Sequence, residues 1–227
     1  MDLNSHYTNE LEELKKQYTL KNEIIRLNSF EINLIMPSDM DSLLEEYEKD
    51  FHVDERLPYW AHLWESSYCL GEKIVESYDF KDHHVLELGS GLGLCGLAAT
   101  FKNGKVIYTD YDQNCFPFIR VNHIKTFNRM PEIRYLDWRD PADIGQFDWI
   151  IASDIIYEPG MYDFIISLFK RVLSNDGRLL LTEPARKFSQ KFFSILEESF
   201  QYFKEELLYW DGEHDQVVHF YEIRKKH

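Results

Sequence analysis

Val85-Leu86-Glu87-Leu88-Gly89-Ser90-Gly91-Leu92-Gly93 is the stretch that decides the fold of this chain. A short apolar run enters three alternating glycines, and a second small, apolar run, Leu92 to Thr100, leaves them. A strand, a glycine turn and a helix start let the backbone approach a ligand closely and present unpaired N–H groups to it. Asp110 closes the next strand candidate, Val106 to Thr109, 21 residues after Gly89. At that place a carboxylate can accept both hydroxyls of a ribose. Gly89, Ser90, Gly91 and Gly93 with Asp110 therefore read as a nucleoside site. The plainer alternative is a set of glycines needed only to make a tight turn.

Outward from this stretch, apolar runs and helical stripes alternate. Further strands are expected at Ile133 to Leu136, Trp149 to Ala152 and Leu179 to Thr182, with helices near 64–78, 113–126, 160–173 and 187–200. Such alternation predicts an α/β fold, a doubly wound and mostly parallel seven-stranded sheet with helices on both faces. The end differs, because Glu205 to Tyr209 and Val217 to Ile223 are joined by a connection too short for a crossover helix. An antiparallel C-terminal hairpin is expected there. Before residue 58 the spacing of Leu11, Leu14 and Tyr18 predicts a helix over about 8–19, followed by a hairpin of Glu23 to Arg26 and Phe30 to Ile35. The division expected is an N-terminal extension, 1–57, and a main domain, 58–227.

The net charge of −15 disfavours a protein that binds by neutralising phosphates. No nucleic-acid partner is expected. Cys69, Cys95 and Cys115 form no paired motif, and the nine histidines show no metal-ligand spacing, so neither a disulfide framework nor a metal site is expected. No targeting segment and no run of roughly 20 apolar residues is visible, which gives a cytoplasmic address and no membrane partner as expectations. Asp39 to Glu55 holds eight carboxylates against Lys49. Its bland reading is a solvated helix face; its sharper one is a docking surface for a basic protein.

Two features separate the nucleoside cofactors. Glu87 stands just before the glycines, where it can meet the amino-acid end of a methionine-derived ligand. The C-terminal hairpin also replaces the second βαβαβ half that a dehydrogenase uses for nicotinamide. Together they favour S-adenosyl-L-methionine over NAD.

The residues then carry a family likeness. Pro58-Tyr59-Trp60-Ala61-His62-Leu63-Trp64, the glycine stretch, Thr109-Asp110, Leu136-Asp137-Trp138 and Ala152-Ser153-Asp154-Ile155-Ile156-Tyr157 resemble the class I, seven-β-strand methyltransferases. More narrowly they resemble methyltransferase family 16, the protein lysine methyltransferase group. Thr182-Glu183-Pro184 is a weaker echo of members that methylate an electron-transfer flavoprotein. The resemblance covers about 58–223. It implies that Trp64 touches the cofactor, that Asp137 and Trp138 hold adenine, and that Ser153 contacts the ligand through its backbone. A core stripe of Trp60, Trp64 and Tyr68 on one helical face is the alternative for the tryptophans. The resemblance further implies that Asp154 and Tyr157 are catalytic, the carboxylate orienting an amine and the tyrosine helping to place it. The alternatives are a helix N-cap and a core tyrosine.

The activity implied is an S-adenosylmethionine-dependent N-methyltransferase acting on a protein lysine, as a monomer, on a substrate with a basic surface. A small-molecule amine methyltransferase is the nearest rival. A non-catalytic S-adenosylmethionine-binding module is a third reading, which an intact Asp154–Tyr157 pair disfavours.

Overall fold

The computed structural model describes residues 2–50, 57–210 and 212–226. In chain order the elements are α1 (Leu3–Gln17), β1 (Leu20–Leu27), β2 (Phe30–Pro37), α2 (Met40–Asp50), α3 (Glu65–Ser77), β3 (His84–Leu88), α4 (Leu94–Phe101) and β4 (Lys105–Asp110). They continue with α5 (Phe116–Phe127), β5 (Glu132–Tyr135), β6 (Phe147–Ser153), α6 (Tyr162–Val172), β7 (Leu173–Glu183), α7 (Ser189–Leu196), β8 (Phe200–Trp210) and β9 (Asp215–Lys225). Single 3-10 turns occur at Tyr59–Ala61, Gln113–Cys115 and Pro159–Met161. The main sheet runs β5-β4-β3-β6-β7-β9-β8, parallel from β5 to β7, with antiparallel β9 inserted between β7 and the edge strand β8. The seven-stranded, mostly parallel sheet and its C-terminal hairpin are as the sequence predicts.

The sheet is buried on both faces. One face carries Val85, Tyr108, Ile151 and Phe220 under α3, α4 and α5. The other carries Leu86, Ile150, Leu179 and Tyr221 under α6 and α7. Period-2 alternation along each strand sends successive residues to opposite faces, so short apolar runs such as Val85 to Leu88 serve both cores at once. Gly96 on α4 shows how closely helix meets sheet: a Cβ there would lie 2.2 Å from Tyr108 and 2.5 Å from Glu87 Oε2.

The N-terminal helix and hairpin also form, the hairpin turning at Asn28 in the left-handed region (φ +51°). They join the α4–α5 core rather than building their own. Buried Asn122 on α5 clamps the backbone of Ile35 on β2 from both sides, accepting its N–H at 2.7 Å and donating to its carbonyl at 2.9 Å. The acidic stretch begins with α2, where Asp39 accepts the N–H of Ser42 at 3.0 Å. Asp54 and Glu55 of that stretch, and Asp211 of the β8–β9 turn, lie outside the described residues. The tryptophan stripe does not form, since Trp60 sits in a 3-10 turn and Trp64 is the N-cap of α3.

Strand register builds the ligand edge. Thr109, Leu88, Ala152 and Leu181 align across β4, β3, β6 and β7. The residues that follow them, Asp110, Gly89, Ser153 and Thr182, therefore form the rim at the carboxyl ends, where open α/β sheets place their sites. One residue further along, Asp154 extends the ladder by donating its N–H to the Thr182 carbonyl at 2.9 Å.

Candidate active site

The glycine turn is fixed by its own backbone. Gly89, Gly91 and Gly93 have φ of +63°, +50° and +80°, which only glycine adopts at little cost. Ser90 pins the turn to β4, donating its N–H to the Thr109 carbonyl at 2.9 Å and accepting the Thr109 N–H on Oγ at 3.0 Å. Asp110 does a second job beyond the one the sequence suggests. Its Oδ2 accepts the Gly91 N–H and its Oδ1 the Asp112 N–H, each at 2.9 Å, so the carboxylate braces the turn. Burial pushes its pKa up to about 6 against the pull of those donors.

Glu87 is buried beneath the turn. Its Oε1 accepts the Gly96 N–H in the first turn of α4 at 2.7 Å, while its Oε2 has no hydrogen-bond partner. Burial pushes its pKa up to about 8. The helix dipole favours a carboxylate at this end, but the buried setting outweighs it.

A cleft of about 900 Å³ opens over the rim. Trp64 lines it with its indole N–H held by the Tyr59 carbonyl at 3.0 Å. Trp138 lines it too, beside the Gly89 turn and Ile155, and its buried indole N–H has no partner. Asp137 is held by Arg139, which covers the Tyr111 ring at 4.8 Å. Trp60 reaches the cleft but is mostly core, packed on Phe118. Its N–H donates to Tyr47 at 3.0 Å, and Tyr47 donates to Asp112 at 2.8 Å, so α2 is tied to the cleft wall.

Asp154 lies where β6 ends, in the left-handed region (φ +54°) and 8% exposed. It caps no helix, since the next turn begins at Pro159 and is capped without a side chain. Its Oδ1 is paired with the Arg186 guanidinium, and its Oδ2 is buried without a partner. Burial raises its pKa, with the Arg186 charge opposing. Tyr157 is at the cleft mouth, 42% exposed, its ring 5.4 Å from that of Tyr59. Burial on its cleft side pushes its hydroxyl up to about 12, and Asp110 adds to this.

Of the residues singled out from the sequence, Trp64, Glu87, Gly89, Ser90, Gly91, Asp110, Asp137, Trp138, Ser153, Asp154 and Tyr157 all line this one cleft. Gly93 sits behind the lining as the N-cap of α4, facing Ile119 and Tyr108. Sequence reasoning missed Arg186 and the Tyr59 ring. The signal for Tyr59 was inside the quoted Pro58–Trp64 block. The signal for Arg186 lay two residues beyond Thr182-Glu183-Pro184, in the basic pair Arg186-Lys187 on the loop after the strand beside Asp154.

Comparisons with known proteins bear on the family and the fold. The family model described as lysine methyltransferase matches residues 50–199. Protein-lysine N-methyltransferase rrg1 of Schizosaccharomyces pombe is 29% identical over 150 residues, 60% of this chain and 50% of that protein. Protein N-lysine methyltransferase METTL21A of Mus musculus is 25% identical over 175 residues, 73% of this chain and 78% of that one. The match spans half of the S. pombe relative and 64% of mouse METTL21E, a protein-lysine methyltransferase. Among solved structures, the ribosomal protein L11 methylase of Lactobacillus delbrueckii subsp. bulgaricus has a TM-score of 0.54 at 22% identity, covering 73% of this chain and 81% of that one. The PH0226 protein of Pyrococcus horikoshii OT3 has a TM-score of 0.56 at 17% identity, covering 83% and 94%. These structural likenesses speak to the fold, and the family match over two-thirds of the sequence speaks to descent. The chain belongs to the lysine methyltransferase family.

Proposed function

We propose that the chain is an S-adenosylmethionine-dependent N-methyltransferase whose acceptor is a lysine side chain of a protein. The residues fit the cofactor. Asp110 offers a carboxylate to the ribose, Asp137 and Trp138 offer a polar and an aromatic wall to adenine, and Trp64 and Ser153 flank the remainder. The unpartnered Glu87 Oε2 is an acceptor suited to the ammonium of an amino-acid tail. S-adenosylmethionine, when bound, supplies an electrophilic methyl on a sulfonium.

The observation that carries the reading is Asp154, a buried carboxylate on the rim with one oxygen lacking a partner, beside the aromatic mouth of Tyr157 and Tyr59. Asp154 orients the incoming amine, and the two rings take its aliphatic stem and any residual positive charge. The amine nitrogen forms a bond to the methyl carbon as the carbon–sulfur bond breaks, the electron pair leaves on sulfur, and a proton leaves the nitrogen for water. Placement and electrostatics are what the protein contributes. The acceptor has a basic surface, drawn by the acidic N-terminal segment, and the enzyme works in the cytosol as a monomer. Among the described residues no helix is long and apolar enough to cross a membrane.

The test has two arms. Calorimetry should detect S-adenosylhomocysteine binding to the pure protein and no comparable binding of NAD. Labelled methyl transfer into a total protein extract, followed by mapping, should place the label on lysine. Equal binding of NAD, or label on any other acceptor, refutes the proposal.

A further inference from the structure

The loop after β7 carries a cation into the cleft on a costly support. Arg186 reaches Asp154 Oδ1 and lines the cleft beside it. Its backbone N–H donates to Glu183 Oε2 at 3.1 Å, and its carbonyl accepts the Ser189 hydroxyl at 2.6 Å at the start of α7. Glu183 is fully buried. Its Oε1 lies 2.9 Å from His219 Nδ1 and accepts the Tyr221 hydroxyl at 3.3 Å. A buried carboxylate is tolerated only when its oxygens are satisfied. Three partners from β9 and the loop satisfy this one, and the result is a fixed path for the Arg186 backbone.

The charge balance then matters for the chemistry. Among the described residues, Glu183 on β7 and Glu65 on α3 act on Asp154, Tyr157 on the loop after β6 interacts with it, and Tyr162 on α6 interacts with Arg186; Glu158 acts on Tyr157. His219 and Tyr221 on β9 lie behind Glu183. These are mostly acids. A buried carboxylate left unopposed in such a setting would stabilise an ammonium, and an ammonium has no lone pair with which to attack. Arg186 opposes it.

We propose that Arg186 is a positioning residue for methyl transfer. By holding Asp154 Oδ1 it turns Oδ2 into an acceptor for an amine N–H while offsetting the charge that would keep the lysine protonated. The inference rests on the lysine-methylating reading and extends it: the Asp154–Arg186 pair, rather than Asp154 alone, selects the neutral amine. Lysines activated beside another cation follow the same rule. The balance of the step is unchanged. The proton leaves the ammonium for water before the nitrogen bonds the methyl carbon.

The experiment uses the acceptor protein that the wild-type enzyme labels in a total extract, purified and used alone, with kcat and KM read from about pH 6.5 to 9.5. Arg186→Gln should raise the apparent pKa governing kcat, which reports the bound lysine, by about 1 unit or more, the scale of a charge within a few ångströms. The loss should be about tenfold near neutral pH and should shrink as pH rises. KM for the acceptor should not rise, because the ammonium form is held at least as well. Arg186→Lys should restore most of the wild-type profile. Unchanged S-adenosylhomocysteine binding checks the fold, and Arg186→Met, which keeps the aliphatic stem, carries the same test if the glutamine variant fails that check. A loss equal at all pH values, or a raised KM with no shift in profile, overturns this inference while leaving the proposed function standing. A wild-type enzyme that labels no lysine overturns the proposed function, and this inference with it.

Discussion

Replacing Glu87 by glutamine is expected to stabilise the unliganded protein at alkaline pH and to change little at acid pH. Glu87 is buried at the base of the cleft, with one oxygen on the Gly96 N–H and the other unpartnered. Its pKa is raised from 4.5 to about 8 by burial. Between those values the folded protein keeps a proton that the unfolded chain has released, so the Glu87 contribution to stability falls as pH rises through this window. At 1.36 kcal/mol per pH unit the whole window is worth about 5 kcal/mol. Relaxation of the buried site around the new charge reduces that, and about 1–3 kcal/mol is expected. Glutamine keeps the acceptor for Gly96 and the volume, and it cannot ionise. Urea unfolding of both proteins at about pH 5 and about pH 8.5 reads the difference directly. The variant should lie within about 1 kcal/mol of wild type at the lower pH and lead by about 1–3 kcal/mol at the higher, a melting-point gain of about 2–4 °C per kcal/mol. Equal stability at both pH values, or a less stable variant at the higher, would refute the reasoning. The same change should weaken S-adenosylhomocysteine, because an ammonium beside Glu87 favours its ionised form and glutamine cannot ionise.

Asp110→Ala should weaken S-adenosylhomocysteine by roughly 1–3 kcal/mol in calorimetry, since the ribose acceptor and the brace on Gly91 go together. Gly96→Ala should destabilise by about 1–3 kcal/mol or more in urea despite the better helix propensity of alanine, because the added methyl would meet the Tyr108 ring. Reversing Asp41, Glu45 and neighbouring carboxylates of the Asp39–Glu55 segment should slow methylation of the protein acceptor at low salt. The effect should fade as the Debye length falls from about 10 Å at 0.1 M to about 3 Å at 1 M, and an unaltered low-salt rate would make the segment a solvated face.

The sheet and the glycine turn were legible because their signals are local. Val85 to Leu88 is apolar at strand length, and Gly89 to Gly93 allows few other conformations. The carboxyl-end rim followed from strand order, so Asp110, Ser153 and Asp154 could be assigned to one edge before any distance was known. Strand ends were less legible: β8 begins at Phe200, five residues before the expected Glu205, because cross-strand pairing with β9 continues through polar residues. Arg186 was invisible for a different reason. Its partner Asp154 is 32 positions away, and a surface-loop arginine has no local pattern that separates an ion pair in a cleft from one in solvent. Glu183 falls within the family echo Thr182-Glu183-Pro184, but its role as an anchor depends on His219 and Tyr221 from a strand laid beside it later in the chain. Gly93, which the spacing groups with the ligand glycines, also packs against Tyr108 and Ile119.

Asp154→Asn tests the central claim most directly, because the carboxylate is assigned to the amine and not to the nucleoside. Methyl transfer to the lysine of the purified acceptor and calorimetry of S-adenosylhomocysteine are measured on the same preparation. The account predicts that methyl transfer falls by about 10²-fold or more, the scale of a lost positioning group, while cofactor affinity stays within about threefold of wild type. An Asp154→Asn enzyme that methylates at the wild-type rate, or one that loses cofactor affinity and activity in parallel, would contradict it.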